Sequence, residues 1–440
     1  MIPAAECPVY MSLRCDGSAI VKGCPGVPHS MPRIETTIEI RPVNGVPFFC
    51  RSVGFELRTE QTVSLPATLG SNDVRKSVKV AGDPMVYAPP VGQFAHEILA
   101  LDVPIIIPLD LTVVPSAAFD AWGATTVHHL VVKATVGASA AAEMSFVQIF
   151  AVPIKTYDTL PLYRQYNEPI KDTQLSDDSQ VRTDIVLPVS AVGPHDGIVL
   201  QLKIAANCLH RCVSNNLLLK LVNVQLKEVL ECFDGGLPAR KDRKLYDTTK
   251  EYSQPLNTEG ISREFQLTFP YFNDLLDLYT TRRLAPKGGE VTTTSASFNR
   301  NSNFAQLPEG VPLTNVRGFT LVGKLYSLRY ELVLKIKVGR GKDFEYTMPI
   351  TASPFDRESS AFLIDWIKRE CVYAREWFGK PLVAKFAHSH SWNSVYSDLK
   401  RLIPPPSVYM NTRADWVRLG YNPEAFGRPN VEKTLSDYID

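Results

Sequence analysis

Apolar and polar positions alternate in short runs along most of the chain. Ile34, Thr36, Ile38 and Ile40 fall on one side of a period-two pattern, with Glu35, Thr37 and Glu39 on the other. Val53, Phe55 and Leu57 alternate with Glu56, Arg58 and Glu60, and Leu130, Val132, Ala134 and Val136 precede a further run at Phe146–Val152. The second half repeats the habit at Ile198–Ile204, Val222–Leu226 and Phe265–Phe269. The longest run sets Tyr326, Leu328, Tyr330, Leu332, Leu334, Ile336 and Val338 on one face, with Ser327, Arg329, Glu331, Lys335 and Lys337 on the other. A period of two is the signature of half-buried strands; a helix would scatter these residues around its axis. Many such strands between Pro and Gly turns predict antiparallel β-sandwiches. No Gly-rich strand-to-helix turn marks a nucleotide-binding α/β unit.

Two stretches interrupt the pattern. Leu160–Ser179 is polar and turn-rich, with Pro161, Pro169 and Asp177–Asp178, and reads as a hinge. Ala285–Pro312 is rich in Gly, Thr, Ser and Asn and reads as a long loop. Past Pro354 the period changes: Phe362, Leu363, Trp366, Ile367, Ala374, Trp377 and Phe378 form a helical stripe within Asp356–Phe378, which stops at Gly379 and Pro381. Two tryptophans in that stripe predict a helix docked on the sandwiches. The expected architecture is therefore all-β: two tandem antiparallel β-sandwiches over residues 8–160 and 180–352, then an extension over 353–440 with one amphipathic helix and a proline-containing tail.

Composition narrows the classes. A chain of 440 residues exceeds one ordinary core and predicts two domains. Lys+Arg (47) nearly cancels Asp+Glu (46), so no nucleic-acid partner is expected from the overall charge. Eight cysteines are too sparse for a disulfide scaffold. The most apolar stretch, Ala100–Val114, is broken by Asp102, Pro104, Pro108 and Asp110, the N-terminus lacks a secretory pattern and there is no Asn-X-Ser/Thr sequon; the expected location is the cytosol.

The order of these pieces resembles the arrestin family, and within it the α-arrestin-like proteins of fungi. The likeness spans Val9–Ile350, about three quarters of the chain. Val103–Val136 (VPIIIPLDLTVVPSAAFDAWGATTVHHLVVKATV) is similar to an arrestin N-domain strand pair: a proline-flanked apolar strand, the turn Pro115-Ser116 with Phe119, then the strand of Val132, Lys133 and Ala134. Val152–Leu160 resembles the end of that domain, Gly197–Leu230 the long strand pair opening a C-domain, and Tyr326–Ile350 its closing strands. The resemblance implies an adaptor that bridges membrane transporters to a HECT-type ubiquitin ligase, whose WW domains grip a Pro-Pro-X-Tyr motif, and recruitment from the cytosol to the plasma membrane or endosomes. Within the fold the alternative is a retromer- or coat-type cargo-sorting subunit without a ligase; outside that function it is a structural β-sandwich assembly protein.

The candidate ligase contact is Pro405, Pro406 and Tyr409, a Pro-Pro-X-X-Tyr element one residue longer than the implied motif. Polyproline II has three residues per turn, so the extra residue rotates the tyrosine away by about 120°; the alternative is a proline-rich tail that packs on the core or lies loose. Arg240, Lys241, Arg243 and Lys244 could meet acidic cytosolic tails of cargo or an anionic membrane surface, or form a solvated loop, with Arg282-Arg283 a lesser candidate. Cys208, His210 and Cys212 share one strand face, but lack a fourth ligand at a recognisable spacing and read as structural. His128-His129 and His388-Ser389-His390 are weaker. There is no Gly-X-Ser-X-Gly and no nucleophilic cysteine context, so neither an enzyme nor a cofactor is expected.

Overall fold

A computed structural model of the chain describes residues 8–66, 72–119, 121–207, 217–233, 239–270, 317–389, 392–422 and 426. The first part holds β1 (Val9–Leu13), β2 (Val21–Lys22), β3 (Arg33–Pro42), β4 (Phe48–Pro66), β5 (Asn72–Tyr87), β6 (His96–Ile98), β7 (Ala100–Pro108), β8 (Ala117–Ala118), β9 (Thr125–Val136) and β10 (Met144–Ala151). The second holds β11 (Ile170–Leu175), β12 (Val181–Leu187), β13 (Ala191–Val192), β14 (Gly197–Ala206), β15 (Leu218–Cys232), β16 (Ala239–Pro255), β17 (Ile261–Thr268), β18 (Leu321–Val322), β19 (Tyr326–Gly339) and β20 (Phe344–Ala352). The C-terminal part consists of α1 (Arg357–Phe378), α2 (Lys380–His388), α3 (Trp392–Lys400), β21 (Ser407–Tyr409) and α4 (Arg413–Arg418). The protein is mostly β, with its α-helices gathered at the C-terminus.

These strands form four sheets. The first runs β1-β3-β7-β21 with β2 on β3, and the second β10-β9-β4-β5 with β6 on β4 and β8 on β9. The third runs β11-β12-β14-β17, and the fourth β13-β20-β19-β15-β16 with β18 on β19. Every pair is antiparallel except β13 with β20. β14 and β15, read together in the sequence as a strand pair, belong to different sheets.

The alternation decides what each sheet buries. Ile34, Ile38 and Ile40 of β3 and Leu101, Val103, Ile105 and Ile107 of β7 pack with Val53, Phe55, Leu57, Leu130 and Val132 of the second sheet in one cluster. Val181, Ile185, Leu200 and Leu202 of the third sheet pack with Val222, Val224 and the inward face of β19 in another. The inward face expected for Tyr326–Val338 is buried throughout. Each such aliphatic side chain contributes roughly 1.5–3 kcal/mol of transfer free energy.

The halves meet over both apolar and polar contacts. Val63, Leu65 and Phe119 of the first half belong to the second cluster, where Phe119 stands edge-on to Phe319 and Tyr326. Gln61 Oε1 accepts from the backbone N–H of Lys324 (2.9 Å) and Leu325 (3.2 Å), and Thr126 Oγ1 lies 2.8 Å from the Tyr326 hydroxyl. The expected hinge Leu160–Ser179 is shorter than the sequence suggests. Leu160 is buried in a cluster with Phe355, and Ile170–Leu175 is β11, paired along its length with β12. Its polar residues suit an edge strand as well as a linker.

The docked helix has its expected extent. Asp356 caps it, accepting from Ser359 N–H at 2.6 Å, and Gly379 ends it with φ 79°, a conformation glycine adopts without steric cost. The docked face is Leu363, Ile367, Ala374 and Phe378, with Trp366 partly buried edge-on to Tyr157 at 5.1 Å. Phe362 and Trp377, placed on that stripe from the sequence, are 63% and 68% exposed. Each lies one position, and so about 100° of helix, from a buried neighbour. Where the sequence reading leaves only a tail, α2, α3 and α4 follow; Phe386, Val395 and Leu399 join Ile106 of β7, so the outer side of the first sheet is covered as well as its inner side. Ala285–Pro312, Arg282-Arg283, Cys208–Cys212 and His390 lie outside the described residues.

Candidate functional site

The proline-tyrosine element is built into the first sheet. Ser407, Val408 and Tyr409 pair with Asp102, Leu101 and Ala100, and Leu99 N–H donates to the Tyr409 carbonyl at 2.8 Å. Val408 packs on the first core. Tyr409 projects from the other face, where its hydroxyl donates to Asp102 Oδ2 at 3.0 Å. Burial, and the carboxylate that it meets, push the Tyr409 phenol up. Asp102 is itself buried between Arg41 (2.6 Å) and Arg14 (3.1 Å), and the guanidinium of Arg418 lies 4.8 Å over the Tyr409 ring. A buried carboxylate needs such partners, because uncompensated charge in an apolar setting costs several kcal/mol. Pro405 is exposed and Pro406 partly so. The element thus lies along a sheet edge, not outside the sheets, because an apolar Val between two polar residues suits a strand.

The basic run lies on β16, an edge strand of the fourth sheet, and three of its four cations face carboxylates. Arg240 meets Asp242 at 2.7 Å, Glu331 at 3.4 Å and Glu231 at 3.7 Å. Arg243 meets Glu228 at 3.0 Å, and Lys244 meets Asp247 at 3.0 Å. Glu228 is nearly buried and accepts from the enclosed Tyr330 hydroxyl at 2.9 Å. Burial, reinforced by that carboxylate, pushes the Tyr330 phenol well up. Lys241 is exposed and makes no ion pair among the described residues. Among the described residues the other three cations of the run are paired within the fold, and Lys241 is not.

The histidine pair separates. His128 is buried, with Nδ1 2.9 Å from Thr59 Oγ1 and Nε2 2.8 Å from the Val114 carbonyl. Burial drives its pKa down to about 4, so it is a neutral structural residue. Among the described residues no group of three His, Cys, Asp or Glu is placed to hold a metal, and no helix is long and apolar enough to cross a membrane.

Sequence reasoning missed the seam between the halves. An open cleft of about 500 Å³ runs along it, lined by Thr59, Gln61, Ser77, Lys79, Val322 and Lys324. Lys79 is held by Asp110 at 2.7 Å. The Asp102 cluster carried a legible signal, since a carboxylate inside the apolar run Ala-Leu-Asp-Val-Pro-Ile demands a partner. Nothing local marks Gln61, whose role depends on a backbone turn far along the chain. Compared with protein-family models and with curated proteins, the chain finds no match.

Proposed function

We propose that the chain is a cytosolic adaptor built as two tandem arrestin-like β-sandwiches, which links membrane transporters or other cargo to a HECT-type ubiquitin ligase for endocytic trafficking. The observation that carries this reading is the grouping of four sheets, two by two, around two buried clusters, with a seam of apolar and polar contacts between the halves. Such a body offers long sheet edges and an inter-domain cleft to extended segments of other proteins. Cargo tails and an anionic membrane surface are the partners proposed for the Arg240–Lys244 strand, with Lys241 as its unengaged cation. The ligase contact is proposed at Pro405, Pro406 and Tyr409. A WW domain that takes Tyr409 has to lift β21 from the sheet, so the intact chain binds more weakly than its own tail peptide.

Titration of WW domains with a Leu402–Met410 peptide, alongside the full chain, tests this. The peptide is expected to bind with a Kd on the order of 10–100 µM, the full chain at least about tenfold more weakly, and Pro406→Ala and Tyr409→Ala to abolish the peptide's binding. Absence of peptide binding removes the ligase contact. A pull-down from cytosol that returns cargo-sorting coat subunits and no ligase turns the reading to sorting without ubiquitination.

A further inference from the structure

The rim of every sheet presents unpaired N–H and C=O groups, and proteins blunt such edges with charges, prolines, bulges or shortness. Most edges of this molecule are blunted in that way. β5 carries Asp73, Arg75, Lys76, Lys79 and Pro84, and its pairing with β4 is bulged between Val53 and Phe55. β16 carries Arg240 through Lys244, β11 carries Lys171 and Asp172, and β17 carries Arg263 and Glu264. β21 and β13 span only three and two residues, and β1 spans five.

β10 has none of these devices. Its eight residues, Met-Ser-Phe-Val-Gln-Ile-Phe-Ala, include no charge, no proline and no glycine. It pairs with β9 on one side, and no described strand pairs with the other. Val147 and Ile149 are 55% and 54% exposed on the outer face. Phe146 and Phe150 pack against the first core from the inner face and are only partly buried.

We propose that β10 is a self-association edge: a second copy of this chain adds its own β10 antiparallel across a two-fold axis through Gln148, fusing two six-stranded sheets into one. This stands apart from the adaptor reading and does not rest on it. The occupant follows from the sequence of the strand. Phe146-Val147-Gln148-Ile149-Phe150 reads almost the same in both directions. In an antiparallel pair, directly opposite residues share a face. The axis at Gln148 therefore sets Phe146 against the partner's Phe150, Val147 against the partner's Ile149, and Ser145 against the partner's Ala151. Aromatic meets aromatic on the core side, and aliphatic meets aliphatic on the outer side. The strand contributes no charge, so self-pairing brings no like charges opposite one another. The two-fold consumes both edges, which closes the assembly at a dimer. A strand-sized contact belongs to the weak class below about 1,200 Å², so the dimer forms at micromolar concentrations and above.

Sedimentation velocity of the full chain between about 1 and 100 µM tests this. Wild type is expected to shift from monomer to dimer across that range. Val147→Lys/Ile149→Lys and Val147→Glu/Ile149→Glu change exposed positions; each is expected to keep the wild-type circular dichroism and to weaken self-association at least roughly tenfold. An equimolar mixture of the two is expected to restore the dimer, because opposite charges then face each other. Val78→Lys/Val80→Lys, on the outer face but at the far edge, is expected to leave the dimer intact. A wild type that stays monomeric, a dimer that survives both β10 variants, a mixture that fails to dimerise, loss of the dimer in the β5 variant, or open-ended aggregation each overturns the proposal. If a β10 variant fails to fold, Val147→Lys alone carries the same expectation. A monomeric wild type whose β10 instead captures an extended strand of another protein assigns the edge to that protein and overturns the dimer.

Discussion

The two six-stranded sheets solve the same problem with opposite chemistry. In the sheet β10-β9-β4-β5 the enclosed polar side chains are uncharged, the neutral His128 with Gln61, Thr126 and Thr135, and one edge is bare of charge. In the sheet ending in β16 the enclosed groups include a carboxylate and a phenol, Glu228 and Tyr330, answered by Arg243 from an edge crowded with both signs. The difference shows that an edge strand is not merely the last strand. Where it carries charge it can neutralise buried groups of the sheet and repel a copy of itself. Where it carries none, the sheet keeps its interior neutral and its rim open to pairing.

The largest expected effect separates the sheets by pH. His128 in the folded chain refuses the proton that it takes when unfolded, since burial lowers its pKa from 6.5 to about 4. The stability from the neutral ring is fully present above the unfolded pKa and is lost as pH falls from about 6.5 towards about 4, a total of about 3 kcal/mol. Urea midpoints at about pH 7 and about pH 4.5 check this: His128→Asn is expected to lose less stability on acidification than wild type, and equal losses would remove His128 as the source.

On the charged sheet, Arg243→Ala leaves Glu228 enclosed with only the Tyr330 hydroxyl. A loss of about 2 kcal/mol in urea denaturation is expected, below the full cost of a broken buried pair because Arg243 is itself half exposed. The tail strand gives a smaller effect. Tyr409→Phe removes one hydrogen bond to Asp102 while Arg41 and Arg14 remain, and about 1 kcal/mol is expected, with faster hydrogen exchange at Leu99 N–H as the local readout. Smallest is Lys241→Ala, expected to stay within about 0.5 kcal/mol of wild type in the same urea measurement. A larger loss would mean that Lys241 is engaged within the fold.

Much of the architecture was legible because it depends on near neighbours in sequence. The inward face of β19, the isoleucines of β3 and the extent and stop of α1 all follow from spacing. The candidate sites were less legible. Arg240–Lys244 reads as a basic cluster along the chain, yet its neutralising carboxylates Glu228, Glu231 and Glu331 arrive from β15 and β19. Pro405–Tyr409 reads as a linear motif, but the edge of β7 and the carboxylate of Asp102 turn its second half into a strand. Phe362 and Trp377 belong to an apolar stripe on paper, and only the surface beneath α1 settles which flank is covered.

The sequence by itself determined which side of each strand is apolar, where the helical period replaces the strand period, and that β10 is uncharged and nearly palindromic. These are properties of residues a few positions apart, carried by backbone geometry wherever the segment ends up. Only the tertiary structure decided that β10 lies at a rim, that β11 belongs to a sheet, that Gln61 meets the turn at Lys324, and that the tail closes onto β7. Those outcomes depend on which of many compatible strands become neighbours. That choice is made by the packing of whole faces and the satisfaction of buried polar groups across hundreds of residues, information that no local pattern holds.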